Sequence, residues 1–138
     1  MSQSPAGFLN AFTVDLEDWF QGLTSTNPQI ERWTEFESRV EYATQNLLAL
    51  LDEYGVKATF FVLGYAADAY PELIARIREN GHEIASHGYY HRFVYRLSPD
   101  EFIADLAKAN DAIARACGAH PSGFRAPYFS VNSWSLWI

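Results

Sequence analysis

Two histidines four residues apart, His87 and His91, are residues whose type and spacing could bind a metal ion. Ser86 precedes the pair, Gly88 follows its first member, and an apolar, strand-like run comes before both. A single turn of chain brings residues i and i+4 to the same side, where two neutral imidazoles can aim at one point. Alone, such a pair is a weak signal, and it predicts a metal site only together with further ligands.

Two other stretches carry side chains suited to chemistry. Asp15, Glu17 and Asp18 follow a short apolar run, and Arg-Ala-Pro-Tyr occupies positions 125–128. Acidic residues directly after a buried strand are well placed for a site at its carboxyl end, although a solvated loop is the alternative. Two histidines and one carboxylate form a catalytic type of zinc site, in which the metal activates water. A second carboxylate can then accept the proton of that water.

The pattern of strands and helices indicates how these stretches could meet. We predict strands over 8–14, 57–63, 82–86 and 122–125, helices over 37–54, 71–80 and 99–117, and the start of another helix capped by Asn132 or Ser133. Such alternation implies parallel strands joined by right-handed crossovers, with their carboxyl ends on one face. About four units are half of a (β/α)₈ barrel, which typically needs about 250 residues. The sequence therefore predicts an α/β fold that is the N-terminal part of a single barrel domain over 1–138, with the three stretches on one face.

The composition of the chain excludes several classes of partner and site. The 17 acidic and 10 basic residues give a net charge of −7, which argues against nucleic acid. A single cysteine, Cys117, excludes an internal disulfide and a cysteine-based zinc site. The sequence shows no signal peptide and no apolar run of membrane-spanning length, so we expect a cytoplasmic protein without a membrane span.

The three stretches together resemble the motifs of the polysaccharide deacetylases with the NodB homology domain, carbohydrate esterase family 4. Thr13–Asp18 corresponds to the family's first motif, His87–His91 to its second and Arg125–Tyr128 to its third. The variant Asp-x-Glu-Asp-Trp-Phe is most similar to the branch found with bacterial exopolysaccharide export loci. The resemblance implies a metal-dependent hydrolase that removes N- or O-acetyl groups from an acetylated polysaccharide or related glycan.

The resemblance also implies roles for individual residues. Asp15 would be the general base, and His87 and His91 would bind one divalent metal ion, expected to be Zn²⁺. Arg125 would orient Asp15 or balance its charge. The backbone amide of Tyr128 would help to hold the oxyanion of the tetrahedral intermediate.

This sequence departs from the family at two points. The family's metal-binding carboxylate directly follows the base, but Leu16 occupies that position here. Glu17 or Asp18 must substitute: strand alternation favours Glu17, whereas Asp18 is favoured if the strand has already ended. The histidine that serves the family as general acid would lie beyond Ile138, so we expect this chain by itself to bind metal with little or no turnover.

Two alternative functions stay open at this point. One is an amide hydrolase of the allantoinase-like branch, which shares the fold. The other is a non-catalytic glycan-binding or inactive fragment. Five aromatic residues could line a sugar groove or belong to the core: Trp19, Phe20, Tyr89, Tyr90 and Tyr128.

Overall fold

Three parallel strands form the sheet that supports the candidate site. The computed structural model describes residues 10–138. The strands are β1 (Thr13–Leu16), β2 (Thr59–Val62) and β3 (Glu83–Ser86), in the order β1-β2-β3. Their register aligns Leu16 with Val62 and Val62 with Ser86, so all three strands end at the same edge. The predicted α/β class with parallel strands is confirmed.

The first and fourth strands differ from their predicted bounds. β1 runs from Thr13 to Leu16, so Asp15 lies within the strand and not at its end; positions 8 and 9 of the predicted strand lie outside the described residues. The fourth strand is reduced to one parallel bridge between Ser86 and Phe124. That bridge still places the segment from Phe124 onward beside the end of β3.

Four α-helices connect and cover the strands. They are α1 (Val40–Glu53), α2 (Gly64–Ala69), α3 (Pro71–Glu79) and α4 (Pro99–Cys117). The predicted helices correspond to α1, α3 and α4. The capping box before α4 has formed, because Ser98 Oγ accepts from the Glu101 backbone N–H and the Glu101 carboxylate accepts from the Ser98 N–H. Gly118 ends α4 in the left-handed conformation, at φ 78°.

The core lies between the sheet and these helices. Phe60 and Val62 of β2 point to the same face of the sheet and are completely buried, whereas Thr59 and Phe61 on the opposite face are only partly buried. Helix α2, which the sequence did not predict, packs closely on α4. A Cβ atom on Gly64 would lie 2.6 Å from the Ala109 Cα, so only glycine permits this approach.

The end of the chain also differs from the prediction. Residues 132–138 form turns and not a helix, although the Asn132 side chain does accept from the Trp134 N–H. The segment after β1 contains two 3₁₀ helices, Trp19–Gln21 and Ile30–Glu35, on either side of turns over 22–28. Within residues 10–138, no helix is long and apolar enough to cross a membrane.

Candidate active site

The site lies at the carboxyl ends of the strands. Glu17 directly follows β1 and His87 directly follows β3. The His87 N–H donates to the Val62 carbonyl at 2.9 Å, and the Leu63 N–H donates to the Leu16 carbonyl at 3.3 Å. These bonds continue the sheet pairing by one residue and hold both strand ends against β2.

Glu17, His87 and His91 bring one potential ligand atom each into a single cluster. The three atoms lie within 4.8 Å of one another, and both histidine side chains are 2% exposed. Glu17 Oε2 and His91 Nε2 are 2.5 Å apart. Glu17 Oε2 nevertheless has no hydrogen-bond partner among residues 10–138. One carboxylate oxygen and two imidazole nitrogens that converge on one point are a donor set that a divalent cation takes, so this residue set fits a metal ion.

The contact made by His87 Nδ1 sets the tautomer of that imidazole. His87 Nδ1 lies 2.7 Å from the Arg125 carbonyl oxygen, which can only accept. Nδ1 therefore carries the proton, and Nε2 presents its lone pair to the cluster. Burial lowers the pKa of His87, and the Arg125 carbonyl and Asp15 oppose that shift only in part. The neutral ring is the form that binds a metal.

Asp15 lies beside the cluster and is paired with Arg125. Arg125 Nη1 is 2.6 Å from Asp15 Oδ1, and Nη2 donates to Thr13 Oγ1 at 3.0 Å. The guanidinium also lies over the Phe61 ring, 3.9 Å from its centroid. Asp15 Oδ2 remains 3.8 Å from His87 Nε2. One oxygen of Asp15 is thus held by arginine while the other faces the imidazole.

Asp18 is engaged elsewhere. Its buried carboxylate accepts hydrogen bonds from the Ser38 hydroxyl at 2.6 Å, the Arg39 N–H at 3.0 Å and the Val40 N–H at 3.4 Å. These groups begin α1, so Asp18 caps that helix from a distant part of the chain. β1 has ended by Asp18, the condition that favoured it as ligand. The structure nevertheless brings Glu17 to the histidines.

The loop after β3 and the segment after Phe124 both use left-handed backbone. Within residues 10–138, the non-glycine residues with positive φ are His91 at 53°, Tyr128 at 57° and Phe129 at 51°. Gly88 adopts φ 76° in the same loop as His91. The chain therefore turns back sharply between the two histidines, which brings both rings to the end of β3 with centroids 5.0 Å apart.

Two further residues support this loop and were missed by the sequence analysis. The Gly64 N–H donates to the Gly88 carbonyl at 2.9 Å. Asp105 of α4 accepts from the Tyr89 N–H at 2.7 Å. Neither residue belongs to a motif with a spacing signal, since each acts across at least 16 residues through tertiary contact.

Tyr128 joins the site to the segment after β1. Its hydroxyl donates to the Gly22 carbonyl at 2.9 Å, and its ring centroid lies 4.4 Å from that of His91. Burial and the negative charge of Glu17 raise the pKa of Tyr128 to about 12, so the hydroxyl stays protonated. Among residues 10–138, no acceptor bonds the Tyr128 backbone N–H. That amide is therefore available to donate to a bound molecule.

The five aromatic candidates for a sugar groove separate into two groups. Phe20 is buried, Tyr89 is buried with its hydroxyl bonded to Asp68, and Trp19 bonds the Glu37 carbonyl. Phe20 and Tyr89 therefore belong to the core, whereas Trp19 is 46% exposed. Tyr90 and Tyr128 line an open cavity beside the cluster.

Comparison with known proteins identifies related sequences and folds. Residues 26–138 match the sequence profile of the polysaccharide deacetylases. The chain is 35% identical over 88 residues to a peptidoglycan-N-acetylglucosamine deacetylase of Bacillus cereus, covering 64% of this chain and 32% of that protein. It is 40% identical over 88 residues to a chitooligosaccharide deacetylase of Bradyrhizobium, covering 63% and 40% respectively. The structure of the peptidoglycan deacetylase PdaC from Bacillus subtilis has a TM-score of 0.69 at 28% identity, covering 89% of this chain and 50% of that one.

These matches cover only part of each relative and only some of the candidate site residues. The chain spans between about a third and a half of the relatives' length. The similarity to PdaC confirms the predicted partial barrel. The profile match includes both histidines and 125–128 but begins after Asp15–Asp18. The roles of the acidic residues therefore depend on the geometry described above.

Proposed function

The chain belongs to the polysaccharide deacetylase family, and from that premise we propose that it removes N- or O-acetyl groups from a glycan with one divalent metal ion. The observation that carries the proposal is the convergence of Glu17, His87 and His91 beside the Asp15–Arg125 pair. The relatives named above act on peptidoglycan and chitooligosaccharides by their names, which favours a glycan over a cyclic amide. In this proposal 1–138 is the N-terminal part of one deacetylase domain, from the exopolysaccharide-associated branch.

Glu17, His87 and His91 would hold the ion, and Zn²⁺ suits a set of one carboxylate and two imidazoles. When bound, the ion would supply a Lewis acid that polarises the acetyl carbonyl and lowers the pKa of water. The protein contributes the orientation of each ligand. The Arg125 carbonyl fixes the His87 ring, and the left-handed backbone at His91 aims the second ring at the first.

Asp15 would act as the general base. Its Oδ2 faces the cluster and would accept a proton from the attacking water, while its Oδ1 stays bonded to Arg125. The Arg125 guanidinium holds Oδ1 and so keeps Oδ2 directed toward the cluster. The unpaired Tyr128 N–H would donate to the oxyanion that forms as water attacks the acetyl carbonyl.

Metal content and acetate release together test this function. The purified chain should bind one equivalent of Zn²⁺, and any acetate that it releases from N-acetylated or O-acetylated oligosaccharides should require the loaded metal. His87→Ala should abolish stoichiometric metal binding. Glu83→Ala, which changes an exposed carboxylate of β3 bonded to the Thr59 hydroxyl, is the matched control and should retain it.

Three results would contradict the proposal. Equal metal content in His87→Ala and Glu83→Ala would exclude the metal site. Hydrolysis of a cyclic amide without acetate release from any glycan would favour the allantoinase-like alternative. Metal binding without turnover of either substrate would favour a non-catalytic role.

A further inference from the structure

A cavity of about 440 Å³ lies beside the metal cluster and is not used by the mechanism above. Its walls come from the segment after β1 and the loop after His91, and six of its lining residues are Leu23, Ile30, Tyr90, Arg92, Arg96 and Tyr128. We call it the arginine cavity. Tyr128 separates it from the cluster, since the same ring contacts His91 at 4.4 Å between centroids. A molecule in the arginine cavity would therefore be a direct neighbour of a molecule at the cluster.

Arg92 and Arg96 give this cavity an unusual electrostatic character in an acidic chain. Within residues 10–138, neither guanidinium makes an ion pair or a side-chain hydrogen bond. Each lies instead over an aromatic ring, Arg92 5.2 Å from the Tyr90 centroid and Arg96 4.7 Å from the Phe93 centroid. The other arginines near functional or structural carboxylates are paired, as Arg125 and Arg115 are.

An acidic side chain that shares a depression with Arg92 is already bonded within the cap of α4. Glu101 lies in the neighbouring depression with Arg92, but its carboxylate accepts from the Ser98 N–H as part of the cap of α4. Both guanidinium groups are exposed and keep their donors for a ligand. A planar arginine fork binds a carboxylate through two parallel hydrogen bonds.

The aromatic walls add a second kind of complementarity. Phe93 stacks face to face on Tyr128, with centroids 4.1 Å apart and 17° between planes, and both rings form part of the apolar surface of the cavity. A surface of this kind accepts the apolar face of a sugar ring, while charged groups at the rim fix its orientation. The volume also lies within the roughly 300–1,000 Å³ typical of small-molecule sites.

We propose that the arginine cavity holds the sugar next to the one being deacetylated, and that Arg92 and Arg96 select glycans in which that sugar carries a carboxylate. This inference rests on the proposed function and names its substrate class as an acidic, acetylated glycan. A uronic acid, or a sugar bearing a carboxyl-containing substituent, has the required chemistry.

The test compares one acidic oligosaccharide with its neutral counterpart. The probe is an acetylated oligosaccharide that contains glucuronic acid, and its partner is the same compound after reduction of the carboxylate to an alcohol. Calorimetric titration of the chain, with and without Zn²⁺, measures both dissociation constants. We expect the acidic form to bind about tenfold more tightly, the lower end for hydrogen bonds to a charged group. Raising the salt concentration should reduce that ratio.

Variants assign the preference to the two arginines. Arg92→Gln and Arg96→Gln should each remove most of the tenfold ratio and leave the affinity for the reduced oligosaccharide within about twofold. Arg78→Gln, an exposed arginine on α3, is the control and should preserve the ratio. Because all three side chains are exposed, their unfolding midpoints should stay within a few degrees of the parent chain.

The outcomes distinguish failure of the arginine site from failure of the deacetylase function. Equal affinity for both oligosaccharides, or an unchanged ratio in the Arg92→Gln, Arg96→Gln double variant, would overturn the arginine site. If acetate is then released equally from both compounds, the deacetylase function stands. Selective binding without acetate release from any metal-loaded sample would support the arginine site and contradict the deacetylase function.

Discussion

Separate replacements of Asp18 and Glu17 should have different effects: loss of Asp18 should lower the stability of the fold, and loss of Glu17 should weaken metal binding. The two carboxylates are adjacent in sequence, yet one caps α1 and the other faces the histidines. Asp18→Ala leaves the Ser38 hydroxyl and the Arg39 and Val40 amides without their acceptor. Glu17→Gln removes a charge whose Oε2 has no hydrogen-bond partner among the described residues.

The contacts of Asp18 determine the expected magnitude. A hydrogen bond to a charged acceptor contributes about 1.5–3 kcal/mol, and a helix cap contributes about 0.5–2 kcal/mol. These values do not add, because the bonds share one buried carboxylate. We expect Asp18→Ala to lower the free energy of unfolding by about 3–5 kcal/mol, or to lower the melting temperature by roughly 10–15 °C. Glu17→Gln should change the metal-free stability by less than about 1 kcal/mol.

Thermal unfolding in a chelator and zinc titration form the assay. The chelator is needed because bound metal stabilises the folded state and would mix the two effects. Glu17→Gln should weaken zinc binding beyond the roughly 10–100-fold that loss of an outer-shell partner costs. Asp18→Ala should bind zinc with the parent affinity at a temperature where it is folded. The opposite pattern, with zinc lost in Asp18→Ala and stability lost in Glu17→Gln, would refute this assignment.

Three further changes test the base, a buried histidine and a helix contact. Asp15→Asn should retain zinc and lose roughly 10²–10⁴-fold in acetate release; loss of zinc would make Asp15 a ligand instead. Burial lowers the pKa of His82, whose Nδ1 accepts from the Ala58 N–H, so the unfolded chain binds a proton more readily than the folded chain. The free energy of unfolding should therefore decrease as the pH falls below about 6.5, and it should decrease less steeply with pH in His82→Gln than in the parent chain. The same pH dependence in both chains would contradict this. Gly64→Ala should destabilise the chain by about 1–3 kcal/mol in denaturant titration, whereas Gly22→Ala, where a Cβ meets nothing closer than 3.7 Å, should not.

Much of the fold could be predicted because its signals are local. Pro71 begins α3, the Ser98 capping box begins α4 and Gly118 ends it, each within a residue or two of the prediction. Helix α2 could not be predicted in the same way. Its six residues are too few for a stable isolated helix, and it forms through the close packing of Gly64 on α4.

The site, too, could be predicted only where its signals are local in the sequence. The spacing of His87 and His91 predicted two rings at one point, and the structure places their centroids 5.0 Å apart. The choice between Glu17 and Asp18 depended on where β1 ends, and that criterion alone would have selected Asp18. The deciding contact lies about 20 residues away, at the start of α1. No pattern within the acidic stretch contains it.

The backbone at the cluster indicates that the loop geometry serves the site more than the stability of the fold. Within residues 10–138, all the non-glycine residues with positive φ lie in the two segments around the cluster, at His91, Tyr128 and Phe129. Each such residue costs about 1–3 kcal/mol and persists only where its surroundings hold it. The Gly64 and Asp105 hydrogen bonds hold the histidine loop, and the Tyr128 hydroxyl bond to Gly22 holds the other segment. Glycine would relieve the strain at His91 but supply no imidazole, so a histidine there is what the proposed metal site would require.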